Sequence, residues 1–148
     1  GSEMCIRDSL YPLKHIEVLN GDIYHALKST DIGYVGFGEA YFSQIESGKI
    51  KGWKRHNKLV LNIVVIVGSI KFVFYDDRSG SLSKGKYQEI ILSPSTNYQR
   101  LVVAPGLWMA FGGMGNTTSM LMDIIPEPHD INEADRLDLS FFPYNFDI

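Results

Sequence analysis

From Ile50 onward, apolar and polar positions fall into short runs separated by turn residues. Residues 59–67 are rich in Val, Ile and Leu and stop at Gly68-Ser69. Ile70–Tyr75 alternates, with Ile70, Phe72 and Phe74 on one face and Lys71, Val73 and Tyr75 on the other. Residues 76–81, Asp-Asp-Arg-Ser-Gly-Ser, are a turn cluster. Runs at Tyr87–Leu92, 101–103, 107–111 and Ser119–Ile125 follow, each bounded by Gly, Pro, Asn or Ser. Upstream, residues 36–43 read as a strand after a Gly-rich turn. Gly36 and Gly38 lack the third glycine and the strand–loop–helix setting of a phosphate-binding loop. Short strands at near-regular spacing predict an all-β sandwich or barrel. Helix signals are weak. They are confined to residues 130–139, with Asp130 as N-cap and Glu133 three residues on, and to residues 22–29.

Composition narrows the class. The chain has 148 residues, 45% hydrophobic and 21% charged, with a formal net charge of −3. This is one domain with enough apolar residues for a core. The charge argues against nucleic-acid binding driven by bulk electrostatics. No apolar run approaches the ~18 residues of a membrane helix. A single cysteine, Cys5, leaves no internal disulfide framework and no multi-thiolate metal site. Residues 1–9 stand apart. Gly1-Ser2 reads as a cleavage scar of recombinant expression, and residues 3–9, Glu-Met-Cys-Ile-Arg-Asp-Ser, match the translation of a sequencing adaptor. Residues 10–148 are then expected to form the folded domain. No apolar signal-peptide core follows the leader, so a cytoplasmic location is expected.

Positive charge is concentrated. Lys51, Lys54, Arg55 and Lys58, four of the 14 Lys and Arg residues, lie within eight residues that also hold His56. Residues at the start of a barrel strand can point into the mouth. There, Lys, Arg and His would attract a phosphorylated anion and hold its oxygens by charge-assisted hydrogen bonds. The same pattern also fits a solvated strand whose charges protect a sheet edge. Arg78 either pairs within its own turn or reaches a diphosphate. For His15, His25 and His129 the ordinary reading is an exposed or structural role. For Trp53, Trp108, Tyr41, Tyr87 and Tyr98 it is core packing, with stacking on a nucleotide base as the alternative. His56 alone is one ligand, too few for a divalent metal.

Several segments, taken in order, resemble the dTDP-4-dehydrorhamnose 3,5-epimerase-related cupins. Gly48 to His56 resembles the segment where that family has Arg-Gly-x-His before the second barrel strand. Gly68 to Arg78 resembles its glycine–strand–Asp-x-Arg, and Ser81 to Gly85 its Ser-x-x-x-Gly turn. Leu92-Ser93 with Asn97 resembles its Leu-Ser-x-x-Asn, and Val103 to Trp108 its Pro-Gly turn. The match runs from about Gly36 to Leu139. The same basic segment also resembles the sugar-nucleotide 3,4-ketoisomerases, whose Arg-Gly-x-His-Ala-His aligns without gaps onto Lys51 to His56, and whose Pro-x-x-Trp resembles Pro105 to Trp108.

The resemblance implies a double-stranded β-helix (a cupin, or jelly-roll barrel) acting as a homodimer on a nucleoside-diphosphate keto-hexose. Both reactions remove a proton beside a ketone, so the site must supply a base and stabilise an enolate. His56 is the candidate base. Lys58 and Lys54, on the same face of the strand by period-2 alternation, are the candidate electrostatic partners. Lys51, Arg55 and Arg78 are candidate diphosphate contacts, with Glu39, Arg100 and Trp108 as further lining residues. No redox cofactor is implied, because a proton leaves and returns, and no metal, because His56 is a single ligand. In a gap-free alignment the epimerases' catalytic His falls on Lys54. Their acidic Tyr falls near Leu121–Met122 and their second His near Met109, so neither residue is expected here.

Overall fold

The computed structural model describes residues 5–148. Its strands are β1 (Leu10–Pro12), β2 (His15–Ile16), β3 (Ile23–Tyr24), β4 (Glu39–Ile45), β5 (Ile50–His56), β6 (Leu61–Val67), β7 (Ile70–Tyr75), β8 (Tyr87–Leu92), β9 (Gln99–Val103), β10 (Trp108–Gly113), β11 (Ser119–Ile125) and β12 (Ala134–Arg136). One five-stranded sheet runs β1-β9-β6-β11-β4 and the other β12-β5-β10-β7-β8, with β2 and β3 as a separate hairpin. We call the first two sheets A and B. Every pairing between these strands is antiparallel. The chain crosses repeatedly between the sheets, giving the expected all-β jelly roll.

The main core lies between the sheets. Leu61, Ile63 and Val65 of β6 and Leu121 of β11 meet Ile70, Phe72 and Phe74 of β7 there. The opposite face of β7 is buried as well. Val73 packs with Trp53, Trp108, Ala110 and Phe146, beneath a C-terminal tail carrying Leu139, Phe142 and Tyr144. Even Lys71 is buried, its Nζ donating to the Phe146 carbonyl at 2.6 Å. The tail therefore acts as a third layer, and β7 reads as apolar on both faces.

Two regions differ from the sequence reading. Residues 130–139 do not form a helix. Asp130 does cap Asn132, but the turn Ile131–Glu133 is 3-10 and leads into β12. The reason is tertiary: β12 pairs with β5, Ala134 opposite His56 and Arg136 opposite Lys54. Residues 22–29 are not helical either. Asn20 (φ 73°) and Gly21 (φ 151°) turn the chain between β2 and β3, and Asp22 bonds His15 and the Val18 N–H. An Asn-Gly pair is a strong hairpin signal.

The scar assigned to Gly1-Ser2 lies outside the described residues, as do Glu3 and Met4 of the adaptor match. The remainder of the leader, Cys5–Ser9, contains a 3-10 turn at Ile6–Ser9. Ile6 packs against the main core, and its N–H donates to Gln88.

The β6–β7 turn is sterically constrained. Gly68 sits at φ 77°, and a Cβ there would lie 2.2 Å from Ser119 Oγ. That hydroxyl accepts the Ser69 N–H and donates to its carbonyl. Gly68→Ala is therefore expected to cost roughly 2–4 kcal/mol in urea unfolding, combining backbone strain with a clash. Gly80, at φ 79° with nothing within 4 Å of its missing Cβ among the described residues, should lose only about 1 kcal/mol as Gly80→Ala. Equal losses would show that the Ser119 contact does not matter.

Candidate active site

One irregularity in β5 sets the site. Met109 of β10 pairs with Lys54 and Phe111 pairs with Lys51, so three steps along β5 span two along β10. The extra residue is a β-bulge, which re-aims side chains. It lets Lys51 and Lys54, an odd number of residues apart, face one cavity, and Trp53 borders that cavity while packing with the tail. The cavity measures about 410 Å³ and opens between the sheets. Its floor is apolar: Leu61, Ile63, Met109, Phe111 and Leu121. Its polar groups are Tyr41 and Ser43 of β4, Lys51, Lys54 and His56 of β5, Asp123 of β11 and Arg136 of β12. Lys51 donates to Ser43 at 3.0 Å.

His56 is 7% exposed, and its Nδ1 lies 2.5 Å from Glu133 Oε1. Glu133 Oε2 accepts the backbone N–H groups of Asn57, Lys58 and Leu59. Burial pushes Glu133 up, but those donors and His56 outweigh it and hold the carboxylate ionised, below its usual range. With Nδ1 engaged, Nε2 is the nitrogen available to the cavity. Burial, helped by the positive charge of Lys54, holds His56 below the ordinary imidazole value against the pull of Glu133. A neutral, oriented imidazole is the form a general base requires. Lys54 is itself lowered, first by burial and then by Arg136.

The facing wall belongs to sheet A. Tyr41 donates to Asp123 Oδ2 at 2.9 Å, from the directly opposed position on the neighbouring strand. Burial raises Asp123 to about 6, opposed by the Tyr41 hydrogen bond and by Lys54. Tyr41 is raised well above the ordinary phenol value by burial and by Asp123. A tyrosine does stand in the cavity, then, although Leu121 and Met122 occupy the positions where alignment sought one. It comes from β4, where Tyr41 and Phe42 lie opposite Asp123 and Met122.

The remaining candidates are placed elsewhere. Lys58 is not on the face of Lys54 and His56, because β5 ends at His56 and the next residues bend to meet Glu133. Arg55 points outward, bonded to Asp135 and stacked over Trp108. Trp108 donates to Asp77 beneath it. Arg78 pairs within its turn with Asp76, itself fully buried. Arg100 is buried on the other side of sheet A, holding Asn62 and the Ile32 carbonyl. Glu39 accepts the His129 N–H near the start of β4. Of the nine predicted site residues, the cavity gathers Lys51, Lys54 and His56. Sequence reading missed Tyr41, Asp123, Glu133 and Arg136. Glu133 had been read as a helix-capping residue, and Asp123 is the one charged position in β11.

No protein-family model and no curated protein matches the chain. Solved structures do. A dTDP sugar isomerase from Desulfovibrio desulfuricans G20 is 30% identical, with a TM-score of 0.88 over 92% of this chain and 88% of that one. The dTDP-4-dehydrorhamnose 3,5-epimerase of Bacillus anthracis, with TDP and pyrophosphate bound, is 19% identical, with a TM-score of 0.74 over 86% of this chain and 77% of that one. A 3′-monoepimerase from Streptomyces bikiniensis, in complex with dTDP-quinovose, is 12% identical, with a TM-score of 0.77 over 87% and 68%. The last two show a shared fold.

If Glu133 is the ionised partner of His56, Glu133→Gln removes an anion and a charge-assisted bond from the imidazole. The His56 pKa should then fall further below its ordinary value in an NMR titration. An unchanged or higher value would exclude this pairing.

Proposed function

Because the chain belongs to the family of dTDP-sugar isomerases and epimerases, we infer that its own reaction is epimerisation by proton abstraction beside the ketone of a nucleoside-diphosphate 4-keto-hexose. The observation that carries this reading is the His56–Glu133 pair facing a cavity whose other polar groups include Lys51, Lys54 and Arg136. Nε2 of His56 would take the weakly acidic C–H proton, while Glu133 fixes the ring and stabilises the imidazolium. Lys54 would donate to the enolate oxygen. Its depressed pKa makes the ammonium a stronger hydrogen-bond acid, and a preformed donor of this kind is worth roughly 10²–10³ in rate. Lys51 and Arg136 would hold the diphosphate. The B. anthracis neighbour, which holds TDP and pyrophosphate, supports a ligand of that type.

A second reading, 3,4-ketoisomerisation through an enediol, is favoured by one observation. The gap-free alignment with that branch places its second His on His56, which does face the cavity. A homodimer belongs to either reading. The β2–β3 hairpin, which exposes Ile16, Val18, Leu19 and Ile23, supports it.

In deuterium oxide, the protein should introduce deuterium beside the ketone of dTDP-4-keto-6-deoxyglucose. His56→Ala should reduce uptake by roughly 10³ and Lys54→Met by roughly 10². Lys51→Ala and Arg136→Ala should act mainly on KM. Saturable dTDP binding without any deuterium uptake, across several 4-keto sugars, would instead mark a binding protein.

A further inference from the structure

Inversion at a carbon needs a proton delivered on the face opposite the one that loses it. His56 stands on sheet B, and the facing wall of the cavity offers Tyr41 and Asp123. The two are not equivalent. The Tyr41 hydroxyl is already committed as donor to Asp123 Oδ2. Asp123 is 5% exposed, and its Oδ1 is buried without a hydrogen-bond partner among the described residues. A carboxylate has about four acceptor sites, and one donor does not compensate a buried negative charge. The bare oxygen therefore favours the neutral acid, which carries a transferable proton. The phenol beside it holds its proton more tightly than a free tyrosine does.

We propose that Asp123 is the acid of the sheet A wall, delivering a proton to the reacting carbon on the face opposite His56, with Tyr41 as the positioning residue that fixes Oδ2. The proposal rests on the reading of His56 as base. In the step, His56 Nε2 takes the C–H proton and the bonding pair moves into the enolate. The enolate pair then returns to carbon and takes the Asp123 proton, leaving a carboxylate and an imidazolium. His56 returns its proton to water and Asp123 regains one from water, so the cycle balances without a redox partner. The groups bearing on Asp123 are Tyr41 and Glu39 from β4 and Lys54 from β5, with His56 and Arg136 in the same cavity. Burial and Glu39 favour the neutral acid, whereas Lys54 and the Tyr41 bond favour the carboxylate. The acid form is lost as pH rises past about 6, so inversion should fall there while His56-dependent exchange persists.

The test follows wild type, Asp123→Asn and Tyr41→Phe with dTDP-4-keto-6-deoxyglucose in deuterium oxide, reading deuterium uptake and product configuration by NMR. Asp123→Asn should keep uptake within about threefold and lose inversion by roughly a hundredfold. Tyr41→Phe should keep inversion within about tenfold. Inversion at the wild-type rate in Asp123→Asn would overturn the proposal. Loss of inversion in Tyr41→Phe alone, or a wild type that exchanges without inverting, would do the same. Should Asp123→Asn fail to fold, Asp123→Glu decides: inversion with a moved pH midpoint supports the proposal, and an unmoved midpoint overturns it. A wild type without any uptake would instead defeat the role given to His56.

Discussion

The carboxylate of Glu133 holds the site together. One oxygen takes the His56 imidazole and the other takes three successive backbone N–H groups just past the end of β5. Those bonds end the strand at His56, draw β12 onto its edge and orient the ring in one contact. They also fix the position of Arg136, three residues further on and opposite Lys54. Replacing Glu133 by an apolar residue would leave the buried His56 imidazole and the N–H of buried Leu59 without their acceptor, and buried unpaired groups of this kind cost about 1–3 kcal/mol each, whereas the exposed Asn57 and Lys58 can turn to water.

The second constraint is the extra residue in β5. A regular strand would send Lys51 and Lys54 to opposite faces. With the bulge, both face the cavity, and Gly52 lies against the backbone of Leu137 and Leu139 without a side chain to accommodate. Trp53 borders the cavity and is buried under the tail, where its Nε1 donates to the Leu139 carbonyl. The same tail segment continues from β12. The layer that covers sheet B and the strand that completes the site are therefore one stretch of chain, and the Lys71–Phe146 bond anchors its far end.

Much of the fold was legible in the sequence because it follows from local periodicity. Ile70–Tyr75, Tyr87–Leu92 and Ser119–Ile125 coincide with strands β7, β8 and β11. The site was legible only in part. Lys54 and His56 obey period 2 within a strand, so alternation found them. Lys58 does not, because a tertiary bond to Glu133 ends the strand first. Lys51 reaches the cavity through a bulge that no residue count reveals. Arg55 and Arg100 are cations whose partners, Asp135 and Asn62, become visible only when strands are brought side by side, whereas Arg78 pairs with Asp76 inside its own turn, one of the two readings the sequence left open. Tyr41 and Asp123 lie 82 positions apart in the chain and meet through the β4–β11 register. Composition and spacing carry no trace of such a pair.

The central claim is that this cavity holds a sugar nucleotide with its reacting hexose between His56 and the sheet A wall. A crystal structure with dTDP bound tests it most directly. The account predicts the diphosphate against Lys51 and Arg136, leaving room for a hexose beside Lys54 and His56 Nε2. A nucleotide seated instead on Arg55 or Arg78, outside the cavity, would contradict it.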